Sequence, residues 1–200
     1  MFKKSLVAVL GVLLVVVAFT GCAKAPQDLV DSTKAALDAA KAAEANRYVP
    51  ADFKAAQDSL QAALTEIETQ NAKFALMRSY KKAQASLEAA AGLANTAAGK
   101  VADAKAAVKA EVDQKLVDLT AAVDEANKLF KKAPRGKESK EVLTAIKADI
   151  DAVVAAQPEI QATLEAGDFL TAKDKVNAAL AKIKAVVEEL NSAIAKKGKR

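Results

Sequence analysis

The sequence predicts an all-α protein, and three observations support this prediction. About a quarter of the 200 residues are alanine, the strongest helix former. Glycine and proline number only 7 and 4, and aromatic residues, which favour strands, make up 4%. Apolar residues recur in alternating steps of three and four, as on the buried face of a helix. We therefore expect an elongated antiparallel bundle of about five helices, with a long central helix shared by two three-helix bundles.

The first 22 residues have the layout of an export signal. Two lysines give a charged start, residues 6–19 form an apolar run, and small residues then lead to Cys22. This run of about 14 residues is short for a bilayer span, which needs roughly 20. The pattern predicts a signal peptide at residues 1–21 and a short tether at residues 22–27.

Two helices are expected in the next 50 residues. Asp28 or Ser32 can cap a first helix that runs to about Asn46. Pro50 suits the first position of a second helix, because its missing N–H would have no partner there. The apolar pattern of this second helix continues to about Thr69.

A single long helix is predicted from about Ala72 to Lys132, where the sequence contains no proline. Gly92 and Gly99 each weaken it by up to ~1 kcal/mol relative to alanine, so we expect a bend near residues 92–99. The predicted seam of the first half consists of Leu76, Tyr80, Ala83, Leu87, Ala90, Ala94, Ala97 and Val101.

Two further helices follow the break at Pro134. Pro158 lies inside the first of them and is expected to kink or split it. Gly167 should end that helix, and Asp168 should cap the last one. The predicted organisation is a signal peptide at 1–21, a lipidated tether at 22–27, an N-terminal bundle at 28–100, a C-terminal bundle at 101–197 that shares the long helix 72–132, and a basic end at 198–200.

Composition narrows the classes of function. The formal net charge of +5 falls to +3 once Lys3 and Lys4 leave with the signal. Acidic and basic residues alternate along the helices, which is typical of solvated faces, so we expect no nucleic-acid binding. The chain has no histidine, phosphate loop, nucleophile elbow or metal-ligand cluster. We therefore expect no cofactor, no metal and no enzymatic activity, and the alternative of a carboxylate enzyme would need acids buried together.

The residues before Cys22 resemble a bacterial lipoprotein signal peptide, through Phe19, Thr20, Gly21 and Cys22. The resemblance implies cleavage between Gly21 and Cys22, a diacylglycerol on the thiol and an acyl chain, such as palmitate, on the new amine. Ala23 then favours the outer membrane, because aspartate at this position retains lipoproteins of the enteric type in the inner membrane. The alternatives are an ordinary signal peptide with an incidental cysteine and an uncleaved N-terminal anchor.

The sequence of residues 43–53, followed by Ala56, Leu60 and Ala63, resembles the alanine-rich helical domains of unknown function found in bacterial envelope lipoproteins. The resemblance extends from about Val30 to Asp103. It implies a helical module in the periplasm, near peptidoglycan-associated partners, and no known chemistry.

These features lead us to expect a non-enzymatic envelope lipoprotein, held in a membrane by acyl chains and facing the periplasm. It would act as a spacer, scaffold or adaptor for an envelope protein or a peptidoglycan-associated partner, and its alanine seams could also pair two copies. The basic C-terminal residues either contact anionic wall polymer or lipid headgroups or are a solubilising end: Lys196, Lys197, Lys199 and Arg200.

The alternative function is a carrier that holds a lipid or another apolar ligand between its helices. Six aromatic residues are the candidates to line such a cavity: Tyr48, Phe53, Phe74, Tyr80, Phe130 and Phe169. The competing interpretation is that these residues form ordinary bundle core.

Overall fold

The computed structural model describes residues 24–135 and 140–198. These residues form six α-helices and a 3-10 helix and contain no strand, which confirms the all-α prediction. The elements are α1 (Gln27–Ala42), α2 (Ala45–Tyr48), α3 (Pro50–Asn71), the 3-10 helix (Ala75–Met77), α4 (Lys81–Lys132), α5 (Lys140–Glu165) and α6 (Phe169–Gly198).

The chain divides into two compact units between Ala102 and Asp103, here called unit 1 and unit 2. Helix α4 runs through this division without interruption, so its first part belongs to unit 1 and the rest to unit 2. The prediction of a long helix shared by two helical bundles is therefore confirmed.

Unit 1 packs α1 and α3 against the first part of α4 around two small cores. In one core, Leu37 of α1 lies with Phe53 of α3 and Ala94 of α4. In the other, Val30 lies with Ala63 and Leu87. From one core to the other, the residue numbers increase along α1 and α4 and decrease along α3. Helix α3 is therefore antiparallel to the other two.

Unit 2 packs the rest of α4 against α5 and α6 around one continuous core. Its fully buried side chains come from all three helices and include Leu119 of α4, Ile150 of α5 and Ile183 of α6. These large aliphatic residues recur at helical spacing on each helix, as expected for a face that is buried along its length.

The prediction that the first helix reaches Asn46 is wrong, because α1 ends at Ala42. Glu44 then adopts a left-handed conformation with φ of 69°, which reverses the chain before the short helix α2. The reversal brings Ala45, which is fully buried, into the core around Leu37 and Phe53. Pro50 opens α3 as predicted.

The prediction that the long helix begins at about Ala72 is also wrong, because α4 begins at Lys81. Side chains take up the backbone groups of the intervening turn. Arg78 donates from Nε to the carbonyl of Lys73 and from Nη2 to the carbonyl of Asn71, both at 2.9 Å. Gln70 Oε1 accepts from the backbone N–H of Ser79 at 3.1 Å. These side chains thus satisfy backbone groups of the turn that a continuous α-helix would otherwise satisfy.

Pro158 lies inside α5 without splitting it. Pro158 and Val154, the residue whose carbonyl it leaves without a donor, are both exposed, so water can satisfy that carbonyl. Gly167 ends α5 as predicted. It has φ of 82°, and the N–H groups of Gly167 and Asp168 bond back to the carbonyls of Leu164 and Thr163.

Candidate functional site

Most residues of the predicted lipid-attachment and basic-contact sites lie outside the described part of the chain. Gly21 and Cys22 precede residue 24, and Lys199 and Arg200 follow residue 198. Lys196 is exposed in α6, and Lys197 continues the same helix. The lipid-attachment site and the basic contact therefore stay predictions.

The structure does define the end of unit 1 from which the chain leads back to Cys22. Val30, in the first turn of α1, packs beside Ala63 and Leu87. Thr33 lies at the same contact: its hydroxyl donates to the carbonyl of Leu29 at 2.7 Å and also lies 3.3 Å from the carbonyl of Leu87. The start of α1 therefore lies at the same end of unit 1 as the turn between α3 and α4.

That turn is held by several hydrogen bonds. In addition to the bonds of Arg78 and Gln70, the hydroxyl of Tyr80 donates to Asn71 Oδ1 at 2.5 Å. The Tyr80 side chain is buried at 4% exposure, so it ties the turn to the helices below it. The conformation of the turn is therefore held by specific hydrogen bonds at this end of unit 1.

Three large apolar side chains of this turn project into solvent: Phe74, Leu76 and Met77, here called the apolar tip. Their exposed fractions are 71%, 80% and 73%, the three highest among the large apolar residues that the structure describes as exposed. The sequence assigned Leu76 to the buried seam and named Phe74 as a candidate cavity residue, and both assignments are wrong. Adjacent exposed apolar groups of this size are a common mark of an interaction site.

The charged residues of the turn itself and of the first two positions of α4 are positive. Lys73, Lys81 and Lys82 are exposed, and Arg78 is partly exposed. Glu66 lies below the turn and pairs with Lys82 at 3.4 Å. A hydrogen bond from Gln70, together with Lys82, lowers the pKa of Glu66, so this carboxylate is ionised near neutral pH.

Unit 2 carries an open groove of about 790 Å³ beside the start of α5. Phe130 and Leu143 supply apolar lining, and Arg135 and Lys140 supply positive charge. Lys147, which also lines the groove, is paired with Asp151. The volume of the groove lies in the range of pockets for small ligands, and its lining combines apolar and basic side chains.

The six candidate aromatic residues do not share one cavity. Phe53 and Tyr80 are buried at different levels of unit 1, and Phe74 is exposed. Tyr48 and Phe169 pack as partly buried residues against the cores of unit 1 and unit 2 respectively. Of the six, only Phe130 lines the groove of about 790 Å³ in unit 2.

The described carboxylates are exposed or partly exposed, and several pair with lysine on a neighbouring helix. Glu111 of α4 contacts Lys115 at 2.8 Å and Lys173 of α6 at 2.7 Å. Hydrogen bonds from these two lysines lower the pKa of Glu111. Lys175 lowers the pKa of Glu159 in the same way. Within residues 24–135 and 140–198, no group of three His, Cys, Asp or Glu residues is arranged to hold a metal ion.

No helix in the described part of the chain is both long and apolar enough to cross a membrane. No protein-family model, curated protein sequence or solved structure matches this chain.

Proposed function

We propose that this protein is a non-enzymatic lipoprotein of the bacterial cell envelope that acts as a spacer, scaffold or adaptor. Acyl chains on Cys22 would hold it in the outer membrane with its helices in the periplasm. The observation that carries the proposal is the position of α1, which begins at Gln27, five residues after the single cysteine of the chain. A folded bundle would then follow the anchor directly.

The anchor is physically sufficient for stable attachment. Each buried methylene contributes about 0.8 kcal/mol, and two acyl signals together give durable binding where one is marginal. An unpaired cysteine in an exported protein also needs an explanation, and acylation provides one. The resemblance of residues 1–22 to a lipoprotein signal peptide supports the same interpretation.

The scaffold role is supported by the helices, whose faces outside the cores offer long solvated surfaces to a partner. The resemblance of residues 30–103 to alanine-rich domains of envelope lipoproteins supports a partner associated with the envelope or with peptidoglycan. The basic residues that follow Ile194 would add a contact to anionic polymer or headgroups.

The anchor is tested by metabolic labelling with palmitate in cells that produce the full chain. Wild-type protein should incorporate the label, and the Cys22→Ser variant should lose it because serine offers no thiol to the modifying enzyme. Ala23→Asp serves as a matched control that keeps the label. If enteric-type sorting applies, this variant should move from the outer-membrane to the inner-membrane fraction. Equal labelling of wild type and Cys22→Ser would exclude lipidation at this residue.

The scaffold role is tested by cross-linking in intact cells, followed by purification from membranes. A spacer or adaptor should yield a defined cross-linked envelope partner, and a trimmed chain that ends at Ala195 should show whether the basic end contributes. Recovery of the protein solely as a free monomer would count against the role.

A second candidate function, that of a lipid carrier, is favoured by the groove of about 790 Å³ in unit 2. Ala148→Trp places a large side chain in this groove, whereas Ala145→Trp places the same side chain at a nearby exposed position that does not line it. A carrier should show bound lipid by native mass spectrometry that Ala148→Trp removes and Ala145→Trp retains. A wild-type protein without bound lipid would exclude the carrier function.

A further inference from the structure

The apolar tip and the N-terminal tether lie at the same end of unit 1. Phe74, Leu76 and Met77 sit in the turn between α3 and α4, and α1 begins at this end, where Val30 packs beside Ala63 and Leu87. Gln27 follows Cys22 by five residue steps, and an extended chain of this length spans at most roughly 17 Å. An anchor at Cys22 therefore keeps this end close to the bilayer.

We propose that the apolar tip inserts into the surface of the membrane that holds the anchor. Phe74, Leu76 and Met77 would enter the boundary between headgroups and acyl chains, and the lysines around them would face anionic headgroups. The contact would be a second attachment that fixes which end of unit 1 meets the bilayer. This inference rests on the proposed lipid anchor.

The shape of the turn supports a lipid surface as the occupant. The three side chains point outward with exposed fractions above 70%. A fluid bilayer accepts a small convex apolar projection at a depth of about 5–10 Å, as it does the apolar face of an interfacial helix. A protein partner would need a matching cavity for the same projection.

The charge around the apolar tip supports the same occupant. Lys73, Arg78, Lys81 and Lys82 flank the tip along the chain, and Lys82 also pairs with Glu66. Basic residues beside an apolar insertion are attracted to the negative surface potential of anionic lipids. The apolar and cationic groups of the turn therefore match the two layers of a membrane interface.

The hydrogen bonds of the turn reduce the conformational entropy that would be lost on insertion. Arg78 and Gln70 satisfy the backbone of the turn, and Tyr80 ties it to Asn71. The three apolar side chains are thus held outward before they meet lipid. Such preorganisation reduces the ordering cost of binding.

The absence of tryptophan from the sequence allows a direct test. Met77→Trp places a single fluorescent reporter in the tip, and Val117→Trp places the same reporter at an exposed position of α4 in unit 2, where valine is 63% exposed. Both full-length proteins are processed in cells, purified from membranes and reconstituted into vesicles of phosphatidylethanolamine and phosphatidylglycerol. Some vesicles carry bromine on shallow acyl carbons, which quenches nearby tryptophan.

The proposal predicts a shorter emission wavelength and at least about twofold stronger bromine quenching at position 77 than at position 117, given the shallow depth of interfacial insertion. Adding Phe74→Ser and Leu76→Ser to the reporter protein should abolish this difference. Both residues are exposed, so the substitutions should leave the helical circular dichroism unchanged. Replacing phosphatidylglycerol by phosphatidylcholine should weaken the quenching.

Other outcomes separate this contact from the anchor. If the protein is acylated and bound to vesicles but the tryptophan at position 77 has the emission of a residue in water, the membrane contact is overturned and the anchor is not. An unacylated protein found only in solution overturns both. A third outcome is a blue-shifted emission at position 77 that increases with protein density and is not quenched by bromine. This result would show that the tip contacts a second copy of the chain, and it would overturn the membrane contact.

Discussion

Unit 1 and unit 2 are both bundles that share α4, but they fill their cores with different side chains. Alanine supplies eight of the fourteen buried apolar residues described in unit 1 and four of the seventeen in unit 2. Alanine lets helices approach closely but buries little apolar area, whereas leucine, isoleucine and valine contribute more area per residue. Unit 1 should therefore depend on close helix approach, and unit 2 on the volume of its large side chains.

The difference also separates the proposed roles. Unit 1 carries the N-terminal tether and the apolar tip, which would face the membrane, while unit 2 carries the larger groove and leads to the basic end. The alanine-rich core of unit 1 also contains few large side chains, so each of them matters more to that unit.

The largest effect is expected from truncating a large core residue in each unit. Leu87 in unit 1 and Leu119 in unit 2 are both fully buried. Leu87→Ala and Leu119→Ala should each cost about 2–5 kcal/mol, because each leaves a cavity that its neighbours fill only in part. Amide hydrogen exchange followed by mass spectrometry should show faster exchange chiefly in the unit that carries the substitution. Equal loss of protection in both units from either variant would contradict the assignment of separate cores.

Enlarging an alanine should be more damaging in unit 1. Ala94 is fully buried between helices, and Ala94→Leu should cost about 1–3 kcal/mol through overpacking. In unit 2, Ala179 borders a surface groove of about 290 Å³ that can accept the added atoms, so Ala179→Leu should cost less.

Urea unfolding compares these two variants, with Ala89→Leu at an exposed position of α4 as the control expected to change stability by less than ~0.5 kcal/mol. An Ala179→Leu variant less stable than Ala94→Leu would reverse the proposed contrast.

Glycine substitutions should have opposite signs in the two units. Gly167 has a left-handed conformation at the end of α5, and Gly167→Ala should destabilise unit 2 by about 1–2 kcal/mol. Gly92 lies inside α4 with nothing within 4 Å of an added Cβ, so Gly92→Ala should stabilise unit 1 by about 0.5–1 kcal/mol. Thermal unfolding checks both signs, and a destabilising Gly92→Ala would show that this glycine serves an undetected close contact.

The smallest effect concerns pH. Hydrogen bonds from Lys115 and Lys173 lower the pKa of Glu111 in the folded state. The stability from this carboxylate is therefore present above the ordinary glutamate pKa of about 4.3 and is lost as the pH falls through that value towards the lower folded pKa. Glu111→Gln should flatten the acid-side decline of the thermal midpoint slightly, because the site is exposed and screened.

Glu66→Gln provides the matched variant in unit 1, where Gln70 is the main cause of the lowered pKa and Lys82 is at 3.4 Å. Like Glu111→Gln, it should slightly reduce the fall of the thermal midpoint at acid pH. If the thermal midpoint of both variants falls with acid pH as steeply as that of wild type, these ion pairs add nothing to folded stability.

Local sequence signals predicted much of the fold. The seam from Tyr80 to Val101 is buried as its period indicates, Pro50 begins a helix, and Gly167 ends one. Each of these features depends on periodicity or on one residue's backbone preference. The sequence could therefore specify them without knowledge of distant contacts.

The length and conformation of the turn between α3 and α4 could not be predicted in this way. The helical period of Leu76, Tyr80 and Ala83 continues through it, which favoured a helix from Ala72. Its actual conformation depends on the side chains of Gln70, Arg78 and Tyr80, which bond across five to nine residues of sequence. Leu76 is consequently expected in the buried seam, and the exposure of the apolar tip is evident only in the structure.

In the proposed arrangement, Cys22 attaches the chain to lipid at the end of unit 1 that bears the apolar tip. The mass of the protein purified from membranes, together with the mass of its N-terminal peptide, tests this attachment. We expect a mature chain that begins at Cys22 and carries the added mass of a diacylglycerol and an amide-linked acyl chain. A chain with an unmodified Cys22 thiol, or one that begins at another residue, would contradict it.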